Sequence, residues 1–247
     1  MTTINDGRVA IITGGAGGVG QTVSLRWLQT GASVLVVDYA QGPLDTFRAT
    51  AASQMDGSEI GSARLATVAV DVTTEAGAVQ MVAEAERAFG KAADTLIHLV
   101  GGFAMGPVDA PDAPAIWNRM MALNLLSAFH CYRAALPALR ARGGGWIVGM
   151  GSRAAVTPSA NLSAYAASKA GLIALTQSLS AEVRAEGIHV NAILASTIDT
   201  PANRRAMGDA AAKDWVQADD IAEATLYLCS DKARAVHGAT LEVYANA

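Results

Sequence analysis

The chain has 247 residues, 51% of them apolar and 16% charged, with a formal net charge of −4. That balance supports a sizeable core. With no basic run and only 5% aromatic residues, it excludes nucleic acid or an anionic membrane surface as the main partner. No run of ~18 apolar residues occurs, so no membrane span is expected. The polar start Met1–Gly7 lacks a charged-then-apolar leader pattern, so a cytoplasmic protein is expected.

In chain order, a strand is predicted over Arg8–Thr13, followed by a glycine-rich turn and a helix over Gln21–Gln29. Further strands are predicted at Val34–Val37, Leu65–Val70, Thr95–Val100, Trp146–Met150, Ile188–Leu194 and Thr240–Val243. Helical patterns run over Ala78–Phe89, Ala115–Ala141 and Ser163–Glu186, the last with Leu172, Leu175, Leu179 and Val183 as a core stripe. Its small residues Ala166, Ala167, Ala170, Gly171 and Ala174 would let another backbone approach, within the subunit or across a dimer contact. Short apolar strands without alternation, separated by helices, indicate a parallel sheet covered on both faces. The fold class is therefore α/β: a doubly wound, Rossmann-like parallel sheet of about seven strands, forming a single domain over residues 1–247. Cys131 and Cys229 form no CxxC pair and read as buried free thiols, and no metal site is expected.

The turn Thr13-Gly14-Gly15-Ala16-Gly17-Gly18-Val19-Gly20 lies between strand and helix, where a dinucleotide diphosphate would sit. Glycines let the backbone approach the ligand, and the helix start offers N–H groups and partial positive charge. Gly14, Gly18, Val19 and Gly20 are the candidate contacts. Asp38 follows the second strand, eighteen residues after Gly20. A carboxylate there can accept both ribose hydroxyls and repel a 2′-phosphate, so NAD(H) is favoured over NADP(H). Asp71 and Val72, at the end of the third strand, could meet the adenine edge; a turn or capping role suits Asp71 as well.

Tyr165 and Lys169 are four apart at the start of the long helix and share one face. Ser152, thirteen residues before Tyr165, lies just past the fifth strand. Reducing a ketone builds charge on oxygen, and a phenol can donate the proton that follows. A free phenol titrates near 10, and one positive charge at ~4 Å supplies about the 4 kcal/mol needed to bring it toward neutrality. Lys169 is the available cation, and Ser152 would hold the substrate oxygen.

These residues resemble the short-chain dehydrogenase/reductase family, in its short single-domain branch, over nearly the whole chain. The matching set is Thr13-Gly14, Gly18 and Gly20; Asp38; Asp71; Leu123-Asn124-Leu125; Ser152; Tyr165-Ala166-Ala167-Ser168-Lys169; and Val190-Asn191-Ala192. The resemblance implies that Asn124, Ser152, Tyr165 and Lys169 are catalytic, with Asn124 holding a water that links Lys169 to solvent. Tyr165 and Lys169 would also touch the cofactor. It implies sheet order 3-2-1-4-5-6-7 and a homodimer or homotetramer. Gly14, Gly17 and Gly20 also fit the spacing of the extended branch, but this chain has little room for that branch's substrate domain.

The chain departs from the family pattern twice. His98-Leu99-Val100-Gly101 replaces Asn-Asn-Ala-Gly; Gly101 still permits close approach to the cofactor ribose, and His98 reads as a hydrogen-bonded structural replacement. Ala195-Ser196 replaces Pro-Gly, costly if the backbone there needs positive φ. The next segment resembles the one that holds the nicotinamide carboxamide, with Ile198 contributing its backbone and Thr200 its hydroxyl. A short substrate lid is expected at about 196–215. Phe103, Arg153, Met207 and Trp215 are candidate pocket residues, and Arg153, Arg204 or Arg205 would suit an acidic substrate group.

The expected function is hydride transfer between NAD(H) and a small carbonyl or secondary alcohol. Two alternatives are an NAD(H)-binding sensor or scaffold without turnover, and an NAD-retaining dehydratase or epimerase.

Overall fold

A computed structural model describes Asn5 and residues 7–55, 64–210 and 212–246. Met1–Ile4 and Asp6, from the polar start, and Ala211, in the predicted lid, lie outside the described residues. The strands are β1 (Val9–Thr13), β2 (Ser33–Asp38), β3 (Leu65–Ala69), β4 (Thr95–His98), β5 (Gly145–Met150), β6 (Ile188–Ala195) and β7 (Thr240–Val243). All pair in parallel, in the order β3-β2-β1-β4-β5-β6-β7. This is the doubly wound sheet the apolar runs predicted, with boundaries shifted by a residue or so.

Alternate residues of each strand feed two cores. On one face Ala10, Ile12, Val34 and Val36 pack against α1 (Gly20–Gln29), α2 (Gln41–Gln54) and α8 (Ala218–Leu228). On the other, Val9, Ile11, Leu35 and Val37 meet α3 (Glu75–Phe89), α5 (Ser127–Ala141) and α6 (Ser163–Val183). In α6, Leu172 and Val183 are buried as predicted, and Leu175 and Leu179 are half-buried at the edge of that core. Cys131 and Cys229 are buried free thiols, and burial pushes each up to about 12. Among the described residues no helix is long and apolar enough to cross a membrane.

The predicted helix Ala115–Ala141 is three pieces. α4 (Ala113–Met120) passes into a π-helical turn, Met121–Leu126, and then into α5. The Ser127 N–H bonds the Ala122 carbonyl five residues back, the signature of that wider turn. Asn124 lies inside it and is fully buried. The segment 196–215, expected to form a lid, contains α7 (Pro201–Met207) and a 3-10 turn at Ala212–Asp214.

The strand order reverses between β1 and β4, so their C-terminal ends open the crevice where ligands bind in such sheets. At the opposite end of β1, the Arg8 guanidinium lies 5.3 Å from the Trp27 ring and 4.0 Å from the Trp146 ring. It also bonds Asp94 Oδ1 at 3.2 Å and the Cys229 carbonyl at 2.5 Å.

Candidate active site

The turn after β1 is shaped by its glycines. Gly14 has φ +66, and a Cβ there would stand 3.1 Å from the Val100 nitrogen, so β1 and the segment after β4 lie almost in contact. A Cβ on Gly20 would overlap the Gly14 carbonyl oxygen and lie 2.6 Å from the Gly15 Cα, so only glycine lets α1 start directly beneath the turn. Val19, at the cap of α1, makes no side-chain cap, and the Gln21 N–H is taken by the Gly17 carbonyl at 3.0 Å, so the amides that could meet a ligand lie ahead of Gln21.

A cleft of about 1230 Å³ opens over this turn. It exceeds the ~300–1,000 Å³ usual for small-molecule sites, as an extended ligand requires. Gly14, Gly18, Val19, Gly20, Asp38, Asp71, Val72, Gly101 and Thr200 line it, which gathers most of the predicted cofactor residues on one surface. Asp38 is held in place by the backbone N–H groups of Tyr39, Ala16 and Ala40, while burial raises its carboxyl above the ordinary range. Asp71 accepts from the Thr73 N–H and hydroxyl at 2.9 and 2.7 Å, which is a turn-forming role, although the residue also lines the cleft. Uncapped amides, overlapping glycines and a long cleft together fit a dinucleotide.

Beside the cleft the proton-transfer candidates converge. Ser152 ends the loop after β5 and accepts the Ala154 N–H at 3.2 Å, and its hydroxyl lies near enough to Tyr165 to favour the phenolate. Tyr165 lies in the first turn of α6, with the Phe103 ring edge-on at 5.0 Å. One turn on, Lys169 is buried and donates to the Met150 carbonyl at 2.7 Å. Gly101 closes the group: a Cβ there would stand 2.8 Å from Asn124 Oδ1 and 3.1 Å from Lys169 Nζ.

The electrostatics differ from the spacing argument. Burial raises the Tyr165 phenol above its usual value, and the Ser152 hydrogen bond only partly offsets this. The Lys169 charge does not draw the phenol down in the protein alone, because the ammonium is turned to the Met150 carbonyl. Burial instead pushes Lys169 itself down to about 8. Asn124 spends its side chain on Gly102, accepting the N–H at 2.8 Å and donating to the carbonyl at 3.1 Å, and on Ser168 Oγ at 3.0 Å. Its amide therefore fixes the segment after β4 to α6.

The departures from the family pattern are accommodated. His98 is fully buried, with Nδ1 2.9 Å from Thr13 Oγ1 and Nε2 3.1 Å from Ser127 Oγ. Ser127 gives its proton to the Leu123 carbonyl at 2.6 Å, so the His98 Nε2 must carry the proton the serine oxygen accepts. Burial, reinforced by the Lys169 charge, pushes His98 down to about 3, so it stays neutral. Ser196 is not among the non-glycine residues with positive φ, so its replacement of glycine costs no strain.

The lid differs from expectation. Trp215 is only 4% exposed and lines neither this cleft nor the smaller apolar cavity beside α4, so its large ring serves packing. Met207 is exposed and also lines neither. Arg153 lies 5.3 Å from the Tyr244 ring. Arg204 is held by Asp199 and Asp209, so it is committed within the lid. Ile198 offers its carbonyl to Asn203 Nδ2 at 2.7 Å, and Thr200 Oγ1 caps α7 by accepting the Asn203 N–H at 3.2 Å. The cleft is also lined by two arginines, Arg119 of α4, which the sequence reading did not single out, and Arg205 of α7, which it offered only to an acidic substrate group. Helical spacing from Pro201 was the available signal for Arg205.

A family model described as short chain dehydrogenase matches residues 8–210. The chain belongs to that family. Over 95% of this short-chain dehydrogenase and 94% of the relative, it is 31% identical to 2-(S)-hydroxypropyl-CoM dehydrogenase 3 of Xanthobacter autotrophicus. A hydroxysteroid dehydrogenase structure from Escherichia coli matches with TM-score 0.86 and 29% identity, covering 99% of this chain and 98% of that one. A 3-ketoacyl-(acyl-carrier-protein) reductase from Brucella melitensis, complexed with NADH, matches with TM-score 0.82 and 26% identity over 97% and 98% of the two chains. This short-chain dehydrogenase is thus an oxidoreductase of a family that acts on alcohols and ketones with nicotinamide cofactors.

Proposed function

We propose that the protein transfers a hydride between NAD(H) and a secondary alcohol or ketone, with Tyr165 as the proton-transfer residue. The observation that carries this is the convergence of Ser152 and Tyr165 beside Gly101 on the wall of the long cleft, backed by buried Lys169. The Gly14–Gly20 turn and the start of α1 would hold the diphosphate, Asp38 the adenosine ribose, and Ile198 and Thr200 the nicotinamide end. When bound, the nicotinamide supplies or takes up the hydride.

In the reducing direction, Ser152 orients the carbonyl oxygen and Tyr165 passes its phenolic proton to that oxygen as the carbon is reduced. Lys169, anchored on the Met150 carbonyl one helical turn from Tyr165, would supply positive charge near the phenolate this leaves. The phenol is then reprotonated from solvent. Asp38 favours NAD(H), since its carboxylate stands where a 2′-phosphate would have to be tolerated.

NADH oxidation with a panel of ketones tests the reading. Tyr165→Phe is expected to lower turnover by about 10²–10⁴-fold while leaving NADH affinity unchanged. Full activity in that variant, or no oxidation with any carbonyl despite tight NADH binding, would reject it.

A further inference from the structure

The lid carries adjacent arginines with different surroundings. Arg204 makes a two-pronged contact with Asp199, at 2.6 and 2.7 Å, and a third bond to Asp209 at 3.0 Å. These bonds fix the rotation of α7. In that setting the helix turns Pro201, Ala202 and Arg205, which share a face by helical spacing, into the large cleft. Arg205 is exposed and, among the described residues, has no carboxylate partner.

The lining of the cleft that Arg205 joins points to its ligand. Its lining includes Gly14, Gly17–Gly20, Asp38, Tyr39 and Asp71–Thr73, but not Ser152, Tyr165 or Phe103. An anion there belongs to the nucleotide and not to the reacting substrate. The start of α7 also lies directly over the glycine turn, because a Cβ on Gly18 would stand 3.4 Å from Thr200 Cβ. The glycine turn offers backbone N–H groups from below but no charged side chain. Arg119, the other cation on the wall, directs Nη2 to the Phe103 carbonyl at 3.4 Å.

We propose that Arg205 grips the diphosphate of the cofactor from the lid side, opposite the N–H groups of the glycine turn. The inference rests on the dinucleotide reading above and adds to it a residue and a direction of contact. A guanidinium can bridge oxygens of both phosphates with parallel hydrogen bonds, which a lysine cannot reproduce.

Fluorescence titration of NADH into wild type, Arg205→Ala and Arg205→Lys tests this, with NADPH and ADP-ribose as further ligands. Arg205→Ala should weaken NADH, NADPH and ADP-ribose alike by about tenfold. Arg205→Lys should recover part of the loss, and the Tm of the ligand-free variants should match wild type because the side chain is exposed. Unchanged NADH and ADP-ribose affinity overturns the proposal. So does a loss confined to NADPH, which would place Arg205 at a 2′-phosphate, or an effect only on the KM of the carbonyl. A wild-type protein that binds neither NADH nor NADPH would instead remove the dinucleotide reading itself.

Discussion

His98 Nε2 lies 3.1 Å from Ser127 Oγ, and this contact ties β4 to the first turn of α5 through a neutral imidazole. The ring is buried in a site that also feels the Lys169 charge, so the folded protein binds its proton far more weakly than the unfolded chain does.

The unfolded chain therefore takes up a proton on His98 near pH 6.5 while the folded protein resists until about 3. Stability from this group is complete above 6.5 and is lost as pH falls through that window. The loss amounts to about 1.4 kcal/mol per pH unit, or roughly 2 kcal/mol by pH 5. His98→Asn removes this term. Urea unfolding at pH 7 and pH 5 should show a variant less stable at pH 7 by about 1–3 kcal/mol, from one lost bond, but less sensitive to acid. Parallel pH dependence in the two proteins would contradict the assignment.

Gly101→Ala should act on chemistry more than on folding. Its Cβ would press on Asn124 Oδ1 and Lys169 Nζ, both ends of side chains, so the fold can yield at a cost of about 1 kcal/mol. The ammonium and the Gly102 segment would shift. A fall in kcat/KM of at least about tenfold, with NADH affinity reduced by a smaller factor, is the expected steady-state and titration result.

Lys169, pushed down to about 8, gives the reduction a basic limb. kcat/KM for a ketone should be level below that pH and fall about tenfold per unit above it, because the ammonium is lost there while Tyr165, shifted upward, still holds its proton. Rates at saturating NADH from pH 6 to about 10 check this. A level profile to the end of that range would show that the ammonium is not needed.

Arg8→Ala removes a cation packed between two tryptophans and bonded to buried Asp94. Arg142 still reaches Asp94 at 3.1 Å, so the loss should be about 3 kcal/mol, at the low end for a broken buried pair. Denaturant unfolding should show that loss, while kcat/KM per folded molecule stays within about twofold, because the node lies at the end of the sheet opposite the cleft.

The strands were legible because runs such as Val34–Val37 are apolar on both faces, and the glycine turn because its residues sit between strand and helix. The spacing of Tyr165 and Lys169 alone would suit two surface neighbours; Ser152 and the glycine turn together made them candidates, and the structure buries Lys169 one turn from Tyr165. The π turn around Asn124 was not, since no Gly or Pro interrupts the pattern and the apolar residues continue across it. The commitment of Arg204 was hidden because Asp199 and Asp209 are each five residues away, outside the usual helical pairing distances. The burial of Trp215 and the Lys169 bond to the Met150 carbonyl depend on tertiary packing that no local pattern encodes.

The wide turn at Met121–Leu126 also sets a phase. It absorbs one extra residue between α4 and α5, so the two rods are rotated by about 100° relative to an uninterrupted helix. Deleting a single residue there would leave a well-formed helix but swing either Trp117 or Tyr132 off its present side. The length of this stretch is thus constrained to the residue, and variation along it can proceed only by substitution.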